Sequence, residues 1–372
     1  MRAIAAILPS KQWYPTTQSN PTVQSKRTLN ANPIQICINP SKRVNPLPSL
    51  AINPSKAAAL NPNLPPLVVI GSANADIYVE IDRLPVEGET ISAKAGQSLA
   101  GGKGANQAVC GRKLEYPTYF VGQIGDDANG KLIAEALEGG GVLLDHLRTV
   151  ADVPTGHAVV MLQSNGQNSI IIVGGANVSC WPDALSDQNL ELVRNAGIVL
   201  LQREIPDSVN IQVAKAARAA GVPVILDAGG MDSPFPTELI SFADILSPNE
   251  SELARLTGMK TESFQQISDA VAKCHEMGAR QVLVKLGAKG SALFVEGEEP
   301  IQQPIISAPR VLDTTGAGDT FTAAFAVARV EGKSKKECMR FAAAAASLCV
   351  QVKGAIPSMP SRKSVLDLLQ SL

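Results

Sequence analysis

From Leu67 onward the chain alternates short, unbroken apolar runs with stretches of helical period, and that rhythm admits few folds. Leu67–Gly71, Thr118–Gly122, Gly197–Gln202, Pro223–Asp227, Asp244–Ser247 and Gln281–Leu286 read as strands. Gly104–Leu114, Lys131–Leu137, Ser208–Ala219, stretches starting at Glu250 and Ser268, and everything beyond Asp319 read as helices. Strands without polar alternation must be covered on both faces. The expected fold is therefore α/β: a doubly wound, mostly parallel sheet flanked by helices.

Two pairs of extended runs fall outside this rhythm. His157–Gln163 and Ser169–Val173 are joined through Ser164-Asn-Gly-Gln167, and Ile77–Ile81 and Thr90–Lys94 flank Pro85-Val-Glu-Gly88. Both are hairpin signals. They predict a small second sheet, with strands near 77–94 and 157–173, serving as a lid over a site or as a dimer contact.

The first 66 residues are different material. They hold no Asp or Glu, seven basic residues and 11 of the 25 prolines, whereas the rest carries 26 basic against 34 acidic residues. Proline at that density opposes helix and sheet alike, and such a segment cannot bury enough apolar surface to order itself. A basic, acid-free, Ser- and Thr-bearing N-terminus without a long apolar core reads as a disordered organelle transit peptide rather than a secretory signal. With only three arginines among its basic residues, it points to a plastid (chloroplast stroma), with the mitochondrion as the alternative. The plainer alternative is an ordinary disordered tail. Residues 67–372 are then the folded domain.

Charge excludes further classes. A net charge of -1 gives no electrostatic footprint for nucleic acid. The longest apolar runs, Ala196–Leu201 and Phe341–Val350, are well short of the roughly 20 residues of a membrane span. Six cysteines (37, 110, 180, 274, 338 and 349) show no CxxC pair and read as buried thiols in a reducing compartment.

In doubly wound sheets, ligands sit at the carboxyl ends of the strands. Those ends carry Asn74 and Asp76, Glu204, Asp227, Asn249, then Lys285 and Gly287. Any one of these is plainly a loop residue or cap; together they predict a site along one edge. There is no GxxxxGK[ST], no GxGxxG after a strand, no GxSxG, and the three histidines (146, 157, 275) are scattered. Chemistry falls to carboxylates, lysines and backbone amides.

Asp313-Thr-Thr-Gly-Ala-Gly-Asp-Thr-Phe321 is the strongest segment. Gly316 and Gly318 let N–H groups converge where a helix begins, forming an anion hole suited to a transferring phosphoryl group. Asp319 at its rim can take a proton from an attacking alcohol, the plainer reading being a helix cap. Around Lys103, three glycines in Ala100–Gln107 allow a small polyol to approach the backbone, with Asn106 able to donate and accept. Asp76, in Gly71–Asp76, can accept from two sugar hydroxyls. In Ser247–Glu252 the acids either cap a helix or hold Mg²⁺.

These segments together resemble the PfkB family of carbohydrate kinases over about residues 67–360. Gly71–Asp76, Gly101–Gln107, Asn249–Glu252, Val284–Gly290 and Asp313–Phe321 occur in the family's order and spacing, the first two in the manner of its ribose-phosphorylating members. The resemblance implies ATP-dependent phosphorylation of D-ribose at its 5-hydroxyl. Asp319 would be the base, with the amides of Gly316, Ala317 and Gly318 as the anion hole. Asn74, Asp76, Gly102, Lys103, Asn106, Glu204 and Asp319 would bind the sugar. Asp227, Asn249, Lys285, Leu286, Gly287, Ala288, Lys289, Gly290 and Gly318 would lie along the nucleotide, with Asn249 and Glu252 serving Mg²⁺.

The same resemblance implies a potassium site at Asp313, Thr315, Cys349, Val352, Gly354 and Ser358, mostly through main-chain carbonyls, and a homodimer through the β-lid. Asp227 stands where bacterial ribose kinases usually carry Asn, Ala228-Gly-Gly230 replaces a Pro-Ala stretch, and Lys285 replaces a frequent Thr. An acid there repels phosphate unless Mg²⁺ or a lysine screens it. Two alternatives stay open: a PfkB kinase for another sugar or a nucleoside, and a catalytically inactive relative. Aromatics at 4% argue against stacking a nucleobase, and intact Asp319 and glycines argue against an inactive protein.

Overall fold

Four residues, Leu67–Ile70, form strand β1, and all four are buried. Leu67 and Val69 face one hydrophobic core, Val68 and Ile70 another. That double burial is why the run reads Leu-Val-Val-Ile with no polar alternation. The structure is a computed structural model and describes residues 64–164, 168–230 and 233–372. The expected transit peptide at 1–66 lies almost entirely outside the described residues.

The remaining strands follow in chain order: β2 Asn74–Ile81, β3 Ala95–Gly101, β4 Thr118–Gly125, β5 Leu143–Val150, β6 His157–Gln163, β7 Asn168–Val173, β8 Ile198–Arg203, β9 Val224–Gly230, β10 Ile245–Ser247, β11 Gln281–Lys285, β12 Ser291–Val295 and β13 Ile301–Gln303. Among the described residues nine of them form one sheet in the order β13-β12-β11-β10-β9-β8-β1-β4-β5, parallel except for the antiparallel β11–β12 and β12–β13 pairs. Helices Lys103–Lys113, Ala317–Val330 and Lys335–Cys349 cover one face; helices Asp207–Ala219 and Phe264–Glu276 cover the other. The doubly wound, mostly parallel α/β fold is as the sequence reading expects.

A second sheet, β3-β2-β6-β7, has four strands. The expected small second sheet is present, but one strand is not where the sequence pointed. β2 pairs antiparallel with Ala95–Gly101, and Thr90–Lys94 is not a strand. Ala-Gly-Gln-Ser-Leu-Ala-Gly has poor strand propensity; pairing with β2 imposes the conformation. The helix expected from Ser268 begins at Phe264, because Ser263 and Gln266 form a reciprocal capping box. Of the cysteines, Cys110, Cys274, Cys338 and Cys349 are buried free thiols as expected, whereas Cys180 is exposed. No helix among the described residues is long and apolar enough to cross a membrane.

The order of strands reverses around β1: the chain winds outward through β4 and β5 on one side and through β8 to β13 on the other. The crevice at such a reversal opens at the strand carboxyl ends. Helix Ala317–Val330 locks this arrangement, with Phe325 only 1% exposed in the core. Phe325→Ala leaves a cavity there and should cost about 3–5 kcal/mol, read as a lowered urea midpoint with an unchanged m-value.

Candidate active site

At the reversal, the loop after β1 meets the loop after β8. Ser72 donates its hydroxyl proton to Glu204 Oε2, which also accepts from the Lys103 backbone N–H at 3.3 Å. Lys103 opens helix Lys103–Lys113, so this one carboxylate joins three segments. The glycines before it are set by close approach. A Cβ on Gly101 would lie 2.1 Å from Asp76 Oδ2, and Gly102, at φ +91°, would bring one 2.6 Å from the Asn74 backbone nitrogen. Expected sugar-side residues Asn74, Asp76, Gly102, Lys103, Asn106 and Glu204 are thus brought into one polar recess.

Asp319 lies at the far side of this recess. It is 6% exposed, in the first turn of helix Ala317–Val330. Asn106 Nδ2 donates to its Oδ2 at 2.8 Å, Gln107 Nε2 to its Oδ1 at 3.3 Å, and Lys103 Nζ stands 4.0 Å from Oδ1. Gln107 itself is fixed by Gln202 Nε2 donating to its Oε1 at 2.8 Å. With its amide nitrogen committed to Asp319, Asn106 leaves its buried Oδ1 without a protein partner, an acceptor facing what a hydroxyl would offer. Gln107 and Gln202 were missed by the sequence reading, although Gln107 closes the glycine-rich segment.

Burial raises the pKa of Asp319, as do the nearby Asp227 and Glu204; Lys103 and the Asn106 hydrogen bond oppose this. Asp76 is pushed up to about 7, by burial first and then by Glu204 and Asp319. Burial and the neighbouring acids thus disfavour the charged forms of Asp76 and Asp319 alike. Burial disfavours the charge on Lys103, but Asp227, Asp319, Glu204 and Glu252 outweigh it and hold the ammonium form well above its usual range.

The anion loop turns through Gly316, which is left-handed at φ +77° and directly precedes the helix. First-turn N–H groups have no helical acceptors and face an incoming anion. Ala317 N–H, however, donates to Thr314 O at 3.2 Å, so of the three amides expected in the hole this one is already engaged.

A cleft of about 760 Å³ opens from the loop. Of the expected nucleotide-side residues, Asn249, Lys285, Gly287, Ala288, Gly290 and Gly318 line it. Leu286 packs into the core instead, leaving only its backbone to face a ligand, and Lys289 pairs with Glu250 at 3.0 Å. Asp227 is fully buried behind the wall. The far end of the cleft is apolar, built by Ile305, Ile306, Ala308, Val311, Ala343 and Val350, none of which any sequence motif marked.

Asn249 and Glu252 form a reciprocal capping box: Asn249 Oδ1 accepts from Glu252 N and Glu252 Oε2 from Asn249 N, both at 2.8 Å. The capping reading therefore holds, and Glu252 Oε1 remains for other work beside Lys103. Among the described residues no cluster of three or more His, Cys, Asp or Glu could hold a metal. Behind the anion loop, Asp313 accepts from Thr315 N at 2.9 Å and Gly354 N at 2.8 Å. Cys349 Sγ lies 3.1 Å from Ser358 Oγ and 3.8 Å from Thr315 O. Val352, 43% exposed, follows Cys349 in the same bend, its N–H donating to Cys349 O at 3.2 Å.

A buried carboxylate between a polar recess and an apolar-ended cleft, with an anion loop at the seam, is the layout of a two-substrate transferase. The sequence matches the family described as pfkB family carbohydrate kinase over residues 65–362. The chain belongs to that family. It is 67% identical to a ribokinase of Arabidopsis thaliana over all of this chain and 99% of the relative. It is 38% identical to a ribokinase of Bacillus subtilis over 82% of this chain and 99% of that one. The solved structure of Arabidopsis thaliana ribokinase complexed with ribose and ATP matches with a TM-score of 0.80 and 77% identity, over 82% of this chain and 99% of the solved one.

The position of Asp76 has a thermodynamic consequence. Its folded pKa lies above its unfolded value of 3.8, so the unfolded chain sheds the proton first as pH rises. Stability from this group is therefore lost between about pH 4 and 7 and stays low above. Asp76→Asn should melt higher than wild type at pH 8 by roughly 1–3 kcal/mol, and the advantage should vanish at pH 4, as followed by calorimetry at both pH values.

Proposed function

We propose that this chain is a ribokinase, transferring the γ-phosphoryl group of ATP to the 5-hydroxyl of D-ribose to give ribose 5-phosphate. The observation that carries this reading is the buried Asp319 carboxylate, held by Asn106 and Gln107 at the seam between recess and cleft. Ribose takes the recess, where Asp76 and Glu204 accept from its hydroxyls and Asn106 Oδ1 finds its missing partner. The nucleotide takes the cleft, its base against the apolar end and its phosphates toward Gly316–Gly318.

Asp319 accepts the 5-hydroxyl proton as that oxygen attacks the γ-phosphorus; the new O–P bond forms while the bond to the ADP oxygen breaks. A carboxylate whose pKa is raised by burial is a stronger base than a solvated one. Lys103 offsets the charge that develops on the transferring group. Glu252 Oε1, with Asn249 nearby, fits water-mediated support of Mg²⁺, which would arrive with the nucleotide and neutralise its phosphates. Asp313 and the carbonyl-rich bend formed by Thr315, Cys349, Val352, Gly354 and Ser358 fit a potassium ion, which would add positive charge beneath the anion loop; the soft Cys349 thiol is not a suitable ligand.

The lid's edge strand β7 exposes Ile170, Ile171 and Ile172 by 54–63%. An edge this apolar supports a homodimer in which two lids pair. For residues 1–66 we retain the plastid-targeting reading on composition, with the mitochondrion as the alternative. Imaging that segment fused to a fluorescent reporter decides between them.

Asp319→Asn should lower kcat by roughly 10²–10⁴-fold while leaving the ribose dissociation constant within about threefold of wild type. A coupled ATP assay across sugars and nucleosides checks the substrate; preference for adenosine or fructose over ribose would overturn the reading.

A further inference from the structure

Asp227 is the one carboxylate of the site that nothing above employs. It is fully buried in the middle of β9, yet two ammonium groups reach it. Lys285 Nζ lies 2.6 Å from its Oδ2, and Lys103 Nζ lies 3.6 Å from its Oδ1. Gly229 N donates to Oδ1 at 2.9 Å, and Thr322 Oγ1 to Oδ2 at 3.4 Å. Burial works to protonate it, but the two lysines prevail and hold its pKa well below the usual carboxylate range.

The two partners of the short ion pair are not equally enclosed. Asp227 is sealed off from the cleft, whereas Lys285 keeps 12% of its side chain accessible and lines the cleft wall. Its Nζ stands 4.0 Å from where a Cβ on Gly318 would project, so the ammonium hangs over the anion loop. An incoming phosphate chain brings several negative charges to that loop, and a lysine head on a flexible stem can turn toward them. Asp227 would still keep Lys103, Gly229 N and Thr322 Oγ1 when Lys285 turns away, so no buried charge is stranded.

Building on the phosphotransfer reading above, we propose that Lys285 is a phosphoryl-binding residue that rests on Asp227 and turns to the terminal phosphate of the bound nucleotide, with Asp227 as its positioning residue. The cation contacts the group being transferred, so its loss weakens the transition state and discriminates between triphosphate and diphosphate. It does not touch the sugar.

The test compares wild type, Lys285→Met, Asp227→Asn and the double variant Asp227→Asn/Lys285→Met. For each, kcat and the KM for ribose are measured, with dissociation constants for ADP and a non-hydrolysable ATP analogue by calorimetry. Lys285→Met should lower kcat by about 10–10³-fold and weaken the ATP analogue about tenfold more than ADP, with the KM for ribose within about twofold. The double variant, free of a stranded charge, should fold yet remain as slow. Recovery of wild-type kcat in the double variant, or an unchanged ratio of ATP-analogue to ADP affinity in either Lys285 variant, would reduce the pair to a structural salt bridge and overturn the proposal. A wild-type protein that binds the analogue but phosphorylates no ribose would instead defeat the substrate reading, while the affinity ratio would still decide the role of Lys285.

Discussion

Two lysines against five carboxylates set the electrostatics of this site. Glu204, Asp227, Glu252 and Asp319 surround Lys103, Lys285 pairs with Asp227, Asp76 lies near Glu204 and Asp319, and most of the group is shielded from water. Like charges in such a place cannot all persist unscreened. The protein resolves the excess in two ways. It holds the Lys103 charge by surrounding it with acids, and burial beside Glu204 and Asp319 pushes the Asp76 pKa up to about 7. What remains is the Asp319 carboxyl, with two amide donors fixing its orientation and one ammonium moderating its charge. Binding a phosphate chain shifts this balance further to the negative side, which is why the disposition of each lysine matters more than its mere presence.

The capping box at Asn249–Glu252 illustrates how structural and functional demands share residues. Reciprocal bonds at 2.8 Å satisfy the first turn of helix Glu250–Thr257 and at the same time fix one Glu252 oxygen, while the other and the Lys103 ammonium both border Gly229. A cap and a ligand-facing group are here the same side chain. Likewise Glu204 tethers Ser72 and Lys103 N while presenting its carboxylate to the recess.

Where motifs depend on glycine, the sequence spoke clearly. Asp313–Phe321 and Gly101–Gln107 require turns and close approaches that few other residues allow, so the turn through Gly316 and the tight segment before Lys103 were legible before any fold was known. The apolar end of the cleft was silent, because Ile305, Ile306 or Ala343 is chemically indistinguishable from a core residue until the chain is folded. Asp227 and Lys285 were legible as members of one site edge but not as a pair; 58 residues apart, they become one 2.6 Å ion pair through the side-by-side order β9-β10-β11. β3 was misplaced because pairing, not propensity, makes it a strand. β12 and β13 escaped because they are short and antiparallel in a chain otherwise read for parallel rhythm.

Asn177 gives the lid its mechanical character. Its side chain accepts from Ala73 N at 2.9 Å and donates to Ala73 O at 3.1 Å and Asn74 Oδ1 at 2.7 Å, so the segment leaving the lid is stitched to the segment entering it. Ala75 N adds a bond to Gly156 O at 2.9 Å along the same line. Three of the four chain crossings between the two sheets are therefore joined by hydrogen bonds. Asp76 sits in β2, paired on both sides within the small sheet, so a movement of that sheet that keeps these bonds carries the Asp76 carboxyl with it.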